Sequence, residues 1–328
     1  MKKRISMTVL WLAALVCCLL LLDQGMRRDD GERKYGAFFA EKQDFDVLFL
    51  GTSRVLDAVQ PLELWRDYGF TSYNMGNNSE PLALTKHVLE LAMEYHKPKI
   101  AVIDVFYMMH AIDEEWTYSF RHIFLDEIPL SRKKIDVVRA TLPEDDWIEF
   151  LMPFSLYHGR WEEILSASTE KMVDCEPYMM GGELRSGRIA RNDYTFTDEM
   201  AAEEQPGEKP LGEIVQLCRA NGVEPVFVAL PGHASNEEQM AMNRAALVAE
   251  EMDVPFVNMM QLGVIDYDTD CCDWQGHLNP DGASKTTAYL GAWLTQNYAL
   301  EDRRSDSAYA HWNENLMKYE DYRRVHWE

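Results

Sequence analysis

The sequence predicts an α/β fold: a flavodoxin-like, doubly wound sheet of five parallel strands. Three observations predict it. Short apolar runs alternate along the chain with helix-period patterns, as strand–helix–strand crossovers require. Runs such as Val47-Leu48-Phe49-Leu50 are unbroken, which suits strands covered on both faces. The first of them stops at the small-residue turn Gly51-Thr52-Ser53, at the sheet edge where such folds bind ligands.

The elements follow in order. Asp46 to Leu50 is the first strand. Ser53 to Tyr68 is a helical region interrupted at Pro61, because proline removes a donor and clashes with the preceding turn. Ser72 to Met75 is a short strand. Glu80 to His96 is a helix with Leu82, Val88, Leu89, Leu91 and Ala92 on its apolar face. Ile100 to Phe106 is a buried strand. The rhythm resumes with a helix at Leu211 to Ala220 and a strand at Pro225 to Leu230. A helix at Asn236 to Met252, a strand at Pro255 to Met259 and a helix at Asp281 to Tyr298 complete a domain over residues 45–298.

An insert, residues 108–209, breaks this rhythm. Trp147, Phe150, Leu151, Phe154, His158, Trp161 and Leu165 recur at three and four, a helix face, with a kink at Pro153. Met179 to Pro210 is rich in Gly and Glu and reads as a long, partly mobile loop. The insert leaves the sheet at the end of the third strand, where it can cap a site or meet a partner. The tail, residues 299–328, carries Tyr309, Trp312, Leu316 and Tyr319 at helical spacing, for packing onto the body or for contact with a membrane surface.

Residues 1–4 are a basic stub, and Ile5 to Leu22 is 18 residues without a charge. A bilayer core needs about 20. No small-residue cleavage site follows Leu22, so an uncleaved transmembrane anchor is favoured over a removed signal peptide. Lys2, Lys3 and Arg4 keep that end cytoplasmic. The expectation is a single-pass protein of the cell membrane, with a stalk at residues 23–44 and an extracytoplasmic body. The net charge of −23 repels nucleic acid. Cys175, Cys218, Cys271 and Cys272 lie outside the span, free to pair after export or to remain thiols. No zinc spacing and no phosphate-binding glycine loop occurs, so no metal and no cofactor is expected.

The chemistry concentrates at two places. Ser53, after the first strand and at the start of a helix, is the candidate nucleophile. His277, in the run His277-Leu278-Asn279-Pro280-Asp281-Gly282 that opens the last helix, is the candidate base. Asp273 is placed to orient it, with Asp268 and Asp270 as substitutes, and His233 is the rival base. The Ser53 site and the Gly76 backbone N–H are candidate oxyanion donors, with the Asn78 amide as a further one. Arg121, Arg160 and Trp116 in the insert are weaker candidates for holding a sugar or an anion.

These residues resemble a known family. Gly51-Thr52-Ser53-Arg54 resembles the first block of the SGNH/GDSL hydrolases. Tyr73-Asn74-Met75-Gly76 resembles their second block, and Asp273 to His277 their Asp/His block. Two departures stand out. Asp273 lies four residues before His277, where the family spaces them by three. Ile103-Asp104-Val105-Phe106-Tyr107 stands where the third block has an Asn. The likeness extends to membrane-anchored bacterial envelope proteins of D-alanyl transfer and exopolysaccharide O-acetylation. The resemblance implies a serine esterase or O-acyltransferase working through an acyl-enzyme on an acylated cell-envelope glycan or polymer. It also implies a membrane-bound O-acyltransferase as partner. The alternative is a catalytically weak carbohydrate-binding or assembly factor that keeps the fold.

Overall fold

The computed structural model describes residues 2–26, 30–157, 175–191, 193 and 195–327. Two N-terminal helices, α1 (Lys2–Met26) and α2 (Asp30–Ala40), precede the sheet. Then follow β1 (Val47–Leu50), α3 (Ser53–Ala58), α4 (Pro61–Tyr68), β2 (Ser72–Asn74), α5 (Leu82–Ala92) and β3 (Ile100–Asp104). The insert supplies α6 (Tyr118–Leu125), α7 (Arg132–Thr141), α8 (Trp147–Leu151) and α9 (Phe154–Tyr157). The core closes with α10 (Glu208–Ala220), β4 (Glu224–Ala229), α11 (Asn236–Asn243), α12 (Ala245–Met252), β5 (Phe256–Asn258), α13 (Pro280–Asn297) and α14 (Ala310–His326).

The five strands are parallel, in the order β2-β1-β3-β4-β5. Chain order reverses beside β1, so the crevice between the ends of β1 and β3 is the topological switch point. Alternate residues feed two cores. Val47, Phe49, Ile100, Val102, Val226 and Val228 pack with Leu290 and Leu294 of α13. Leu48, Leu50, Ala101, Ile103 and Phe227 pack on the other face with α5 and α10. The period of two in a strand makes this division automatic.

Asn74 ties the two halves of the first crossover together. Its Nδ2 donates to the carbonyls of Val55 at 2.6 Å and Val59 at 2.8 Å, and its Oδ1 accepts from Gly76 N–H at 3.0 Å. The side chain is fully buried. Asn74→Ala orphans these groups away from water, so unfolding in urea is expected to lose about 2–4 kcal/mol. A loss within experimental error would show that water replaces the amide.

Several expectations are met and others corrected. Pro61 divides α3 from α4 and Pro153 divides α8 from α9, as read. The helix expected over 236–252 is two, meeting at Arg244. Residues 30–40, read as stalk, form α2, because Lys34, Tyr35 and Phe38 bury one face against the body. Tyr73 OH and Lys34 Nζ reinforce this, the latter donating to Asn74 O at 3.0 Å. The segment 179–184, read as partly mobile, is buried and hydrogen-bonded to α3 and β2. The tail packs onto the body: Trp312 and Tyr319 of α14 are buried, and Tyr319 OH donates to Glu63 of α4 at 2.8 Å. Among the described residues Cys17, Cys18, Cys218, Cys271 and Cys272 are free thiols. His158, Arg160, Trp161 and Leu165 lie outside the described residues.

Helix α1 covers the uncharged run. Its described side chains run unbroken only from Met7 to Leu19. Among the described residues no helix is long and apolar enough to cross a membrane.

Candidate active site

The turn after β1 builds the nucleophile's position. Gly51 sits at φ +141°, and a Cβ there would lie 2.9 Å from that of Asp104, so the sharp exit from the strand needs glycine. Thr52 then caps α3, its hydroxyl accepting from Arg54 N–H at 3.3 Å. Ser53 is therefore the first helical residue, at the switch point, on the carboxyl end of the sheet. Arg54 lines the same cleft as Ser53. It is buried over the Phe106 ring, 3.5 Å from its centroid, and donates to the carbonyls of His233 and Leu230. It fixes the nucleophile's turn to the loop after β4.

The loop before α13 carries the other two groups. His277 Nε2 lies 2.8 Å from Ser53 Oγ, and its Nδ1 lies 2.7 Å from Asp273 Oδ2. The four-residue spacing is absorbed by a turn. Asp273 Oδ1 accepts from the backbone N–H of Gln275 at 2.9 Å and of His277 at 3.2 Å. That turn brings the carboxylate back beside the ring that follows it. Asp273 is held down to about 2: burial works against ionisation, but the bonds from His277 and the Arg185 charge more than offset it. The substitutes are otherwise engaged. Asp270 binds Lys285 at 2.6 Å, and Asp268 is exposed. His233 lines the cleft, but the imidazole on Ser53 is that of His277.

The oxyanion expectations divide. The Ser53 N–H begins α3, and Asn78 lines the same cleft as Ser53. Gly76 is a correction: its N–H is taken by Asn74 Oδ1, and the residue does not line the cleft. Its lack of a side chain serves packing instead, since a Cβ would fall 2.7 Å from Leu56 N. At the third-block position Asp104 accepts from Leu230 N–H at 3.2 Å and acts in the sheet. Burial pushes its carboxyl up to about 6, against the pull of Arg54.

Two residues went unread in the sequence. Arg185, on a strap over residues 181–191, reaches His277 Nδ1 with Nη1 at 3.1 Å and Asn78 Oδ1 with Nη2 at 3.4 Å. It pairs with Glu183 at 3.0 Å and stands 3.8 Å from Asp57. Asp57 is buried one turn after Ser53, and burial pushes its carboxyl up to about 7, against His277 and Arg185. Asp57 had a signal, since positions 53 and 57 share a helix face. Arg185 had none.

The cleft has a volume of about 830 Å³. One wall is aromatic: Phe106, Tyr107, His110, Trp116 and Phe120. Trp116 is 52 % exposed, yet fixed, because its Nε1 donates to Glu114 at 2.9 Å. The same carboxylate holds His110 Nδ1 at 2.9 Å. Arg121 is not part of this wall; it is buried, donating to the carbonyls of Ile112 and Thr141.

No protein-family model and no curated protein matches the chain. Solved structures do. A GDSL-like lipase from Bacteroides thetaiotaomicron VPI-5482 is 10% identical, over 82% of this chain and 98% of that one, with a TM-score of 0.43. A candidate platelet activating factor from Streptococcus pneumonia is 14% identical, over 87% and 99%, with a TM-score of 0.42. A candidate acylhydrolase from Bacteroides fragilis NCTC 9343 is 12% identical, over 83% and 99%, with a TM-score of 0.40. All are loose matches.

Proposed function

We propose that the chain is an SGNH-type serine esterase or O-acyltransferase whose substrate is an acylated cell-envelope glycan. The observation that carries this is the relay from Ser53 Oγ through His277 to Asp273, at 2.8 and 2.7 Å. His277 Nε2 takes the hydroxyl proton as Ser53 Oγ bonds to the ester carbon. The same proton then leaves with the departing alcohol, and an acyl-Ser53 ester remains. Water or a sugar hydroxyl, deprotonated by His277, releases the acyl group. Ser53 N–H and the Asn78 amide serve the oxyanion.

A serine-directed fluorophosphonate tests the nucleophile. One adduct on Ser53 by intact mass is expected, and its absence in His277→Ala. An unlabelled wild-type protein would favour a binding or assembly factor instead.

The glycan is supported by the aromatic wall. A fixed, half-open indole beside polar groups suits the apolar face of a sugar ring, whose hydroxyls reach Asn78, Glu183, Gln275 and Glu238. Trp116→Ala is expected to raise KM for an O-acetylated oligosaccharide about tenfold, as loss of one aromatic contact does. Turnover of p-nitrophenyl acetate should change less than about twofold, because a small ester does not reach that wall. Equal losses on both substrates would refute the sugar subsite.

The place of action is part of the same reading. The uncharged run Ile5 to Leu22 and the exposed side chains of Leu10, Trp11, Leu15 and Leu21 suit a membrane anchor. The body then stands outside the membrane, close to a membrane-bound O-acyltransferase that supplies acyl groups. Membrane fractionation with Met1 retained is the expected result.

A further inference from the structure

The turn that carries Asp273 and His277 also carries a side chain that the relay does not use. Trp274 follows Asp273 directly and is 70 % exposed. A single exposed indole is ordinary. This one is fixed. Its turn is closed by the N–H groups of Gln275 and His277, which both donate to Asp273 Oδ1. The Arg191 guanidinium lies over the ring, 5.5 Å from its centroid, a cation–π contact. Arg191 is itself buried and held. Its Nε donates to Asp193 at 3.0 Å, and its backbone N–H donates to Tyr267 O at 2.6 Å. The indole thus has protein against it and a wide surface open to solvent. The next residue, Gln275, lines the cleft.

Trp116 shares this arrangement, an exposed indole with its orientation set by a polar neighbour. The two rings belong to different walls. Trp116 packs with Tyr107 and His110, whereas Trp274 belongs to the histidine's own turn. Aromatic surface continues past that turn. Tyr267 lies 5.7 Å from the exposed Phe196 ring, and both line a second cavity of about 510 Å³. The Tyr267 hydroxyl accepts from Gly232 N–H at 3.3 Å, next to His233 of the cleft.

The charges narrow what can lie there. Among the described residues lining the cleft the guanidiniums are Arg54 and Arg185, and both are committed. Arg54 donates to the carbonyls of His233 and Leu230, and Arg185 pairs with Glu183. Arg191 is committed to Asp193. Glu238 adds negative charge to the wall, and the chain carries −23. A polyanion meets repulsion there, with the cations already engaged. An uncharged sugar chain needs apolar platforms and hydroxyl partners, and both are present.

We propose that the substrate is an uncharged glycan chain, and that Trp274, held by Arg191, forms a second sugar subsite outside the cleft. The chain then runs across the relay, and acyl groups are handled on sugars within it rather than at its free end. This rests on the glycan reading and adds length and charge to it.

The test uses chemically O-acetylated cello-oligosaccharides, from disaccharide to hexasaccharide, with the full chain. In the wild type kcat/KM for acetate release should rise about tenfold from the shortest to the longest, and Trp274→Ala should abolish the rise, as loss of one aromatic anchor does. Trp274→Phe keeps an aromatic face and should retain most of the rise; it carries the test if the alanine variant fails to fold. Trp116→Ala should weaken every length alike. O-acetylated oligogalacturonates of the same lengths, the anionic counterparts, should turn over at least about tenfold less well. A rise with length that survives Trp274→Ala, or no rise in the wild type, overturns the second subsite. Losses in Trp274→Ala that are equal at every length also overturn it, because the ring then only shapes the Asp273 turn. Equal turnover of the anionic series overturns the uncharged chain. In each of these cases a loss in Trp116→Ala leaves the glycan reading standing. Acetylated sugars that do no better than p-nitrophenyl acetate, with Trp116→Ala without effect, sink that reading and the second subsite with it.

Discussion

Ser53→Ala is expected to lower kcat for any ester roughly 10⁴–10⁶-fold, and His277→Ala by a similar factor. The size follows from the geometry. One hydrogen bond of 2.8 Å joins the two groups, so either loss disables the same proton transfer. The double variant should be no worse than either single one, because the groups act as a unit. The fold should tolerate Ser53→Ala. Among the described residues its hydroxyl bonds to His277 alone, and Thr52 rather than Ser53 caps the helix. A stability change within about 1 kcal/mol is expected by thermal melt. A Ser53→Ala protein that keeps a tenth of the wild-type turnover would place the nucleophile elsewhere.

Asp273→Asn is the second large effect, a fall in kcat of about 10²–10⁴-fold. The carboxylate accepts from Nδ1–H at 2.7 Å, which leaves Nε2 as the lone pair that faces Ser53. An amide can turn its NH₂ toward Nδ1 and select the wrong tautomer. Arg185, 3.1 Å from the same atom, would add to that selection once the carboxylate is gone. The effect should fall short of the serine and histidine losses, because Asp273 takes no part in bond making. Its value of about 2 also fixes a sign. A carboxyl depressed on folding stays ionised down to that pH, so loss of activity at milder acidity is not due to Asp273. A wild-type rate in Asp273→Asn would point to Asp57 as the true partner of the imidazole.

The legible parts of the site were those with local signals. A strand ending in Gly51-Thr52-Ser53 and a histidine before a proline-led helix each announce their place within a few residues. The five-stranded parallel sheet followed from the alternation of strands and helices, and the helical tail from aromatic residues at helical spacing. What was hidden depends on long-range contact. Arg185 lies in an irregular stretch with no period, 92 positions from the ring it touches. The Gly76 N–H looked available until Asn74, two residues earlier, was seen to take it. Helix α2 has a polar composition, and only burial reveals Tyr35 and Phe38 as core. The shifted spacing of Asp273 read as a weakness. A turn whose Gln275 and His277 N–H groups both face one carboxylate oxygen absorbs the added residue.

The strap has a kinetic consequence. Residues 53, 185 and 277 must meet from three distant stretches of chain, across the whole span of the insert. Contacts of such separation in sequence form after the loops between them have lost their freedom, and they form slowly. The central strands β1 and β3 can pair while residues 181–191 are still unplaced. Refolding should therefore show the sheet before the active site. Far-ultraviolet circular dichroism should recover first, and the ability of Ser53 to react with a fluorophosphonate last, in a separate phase.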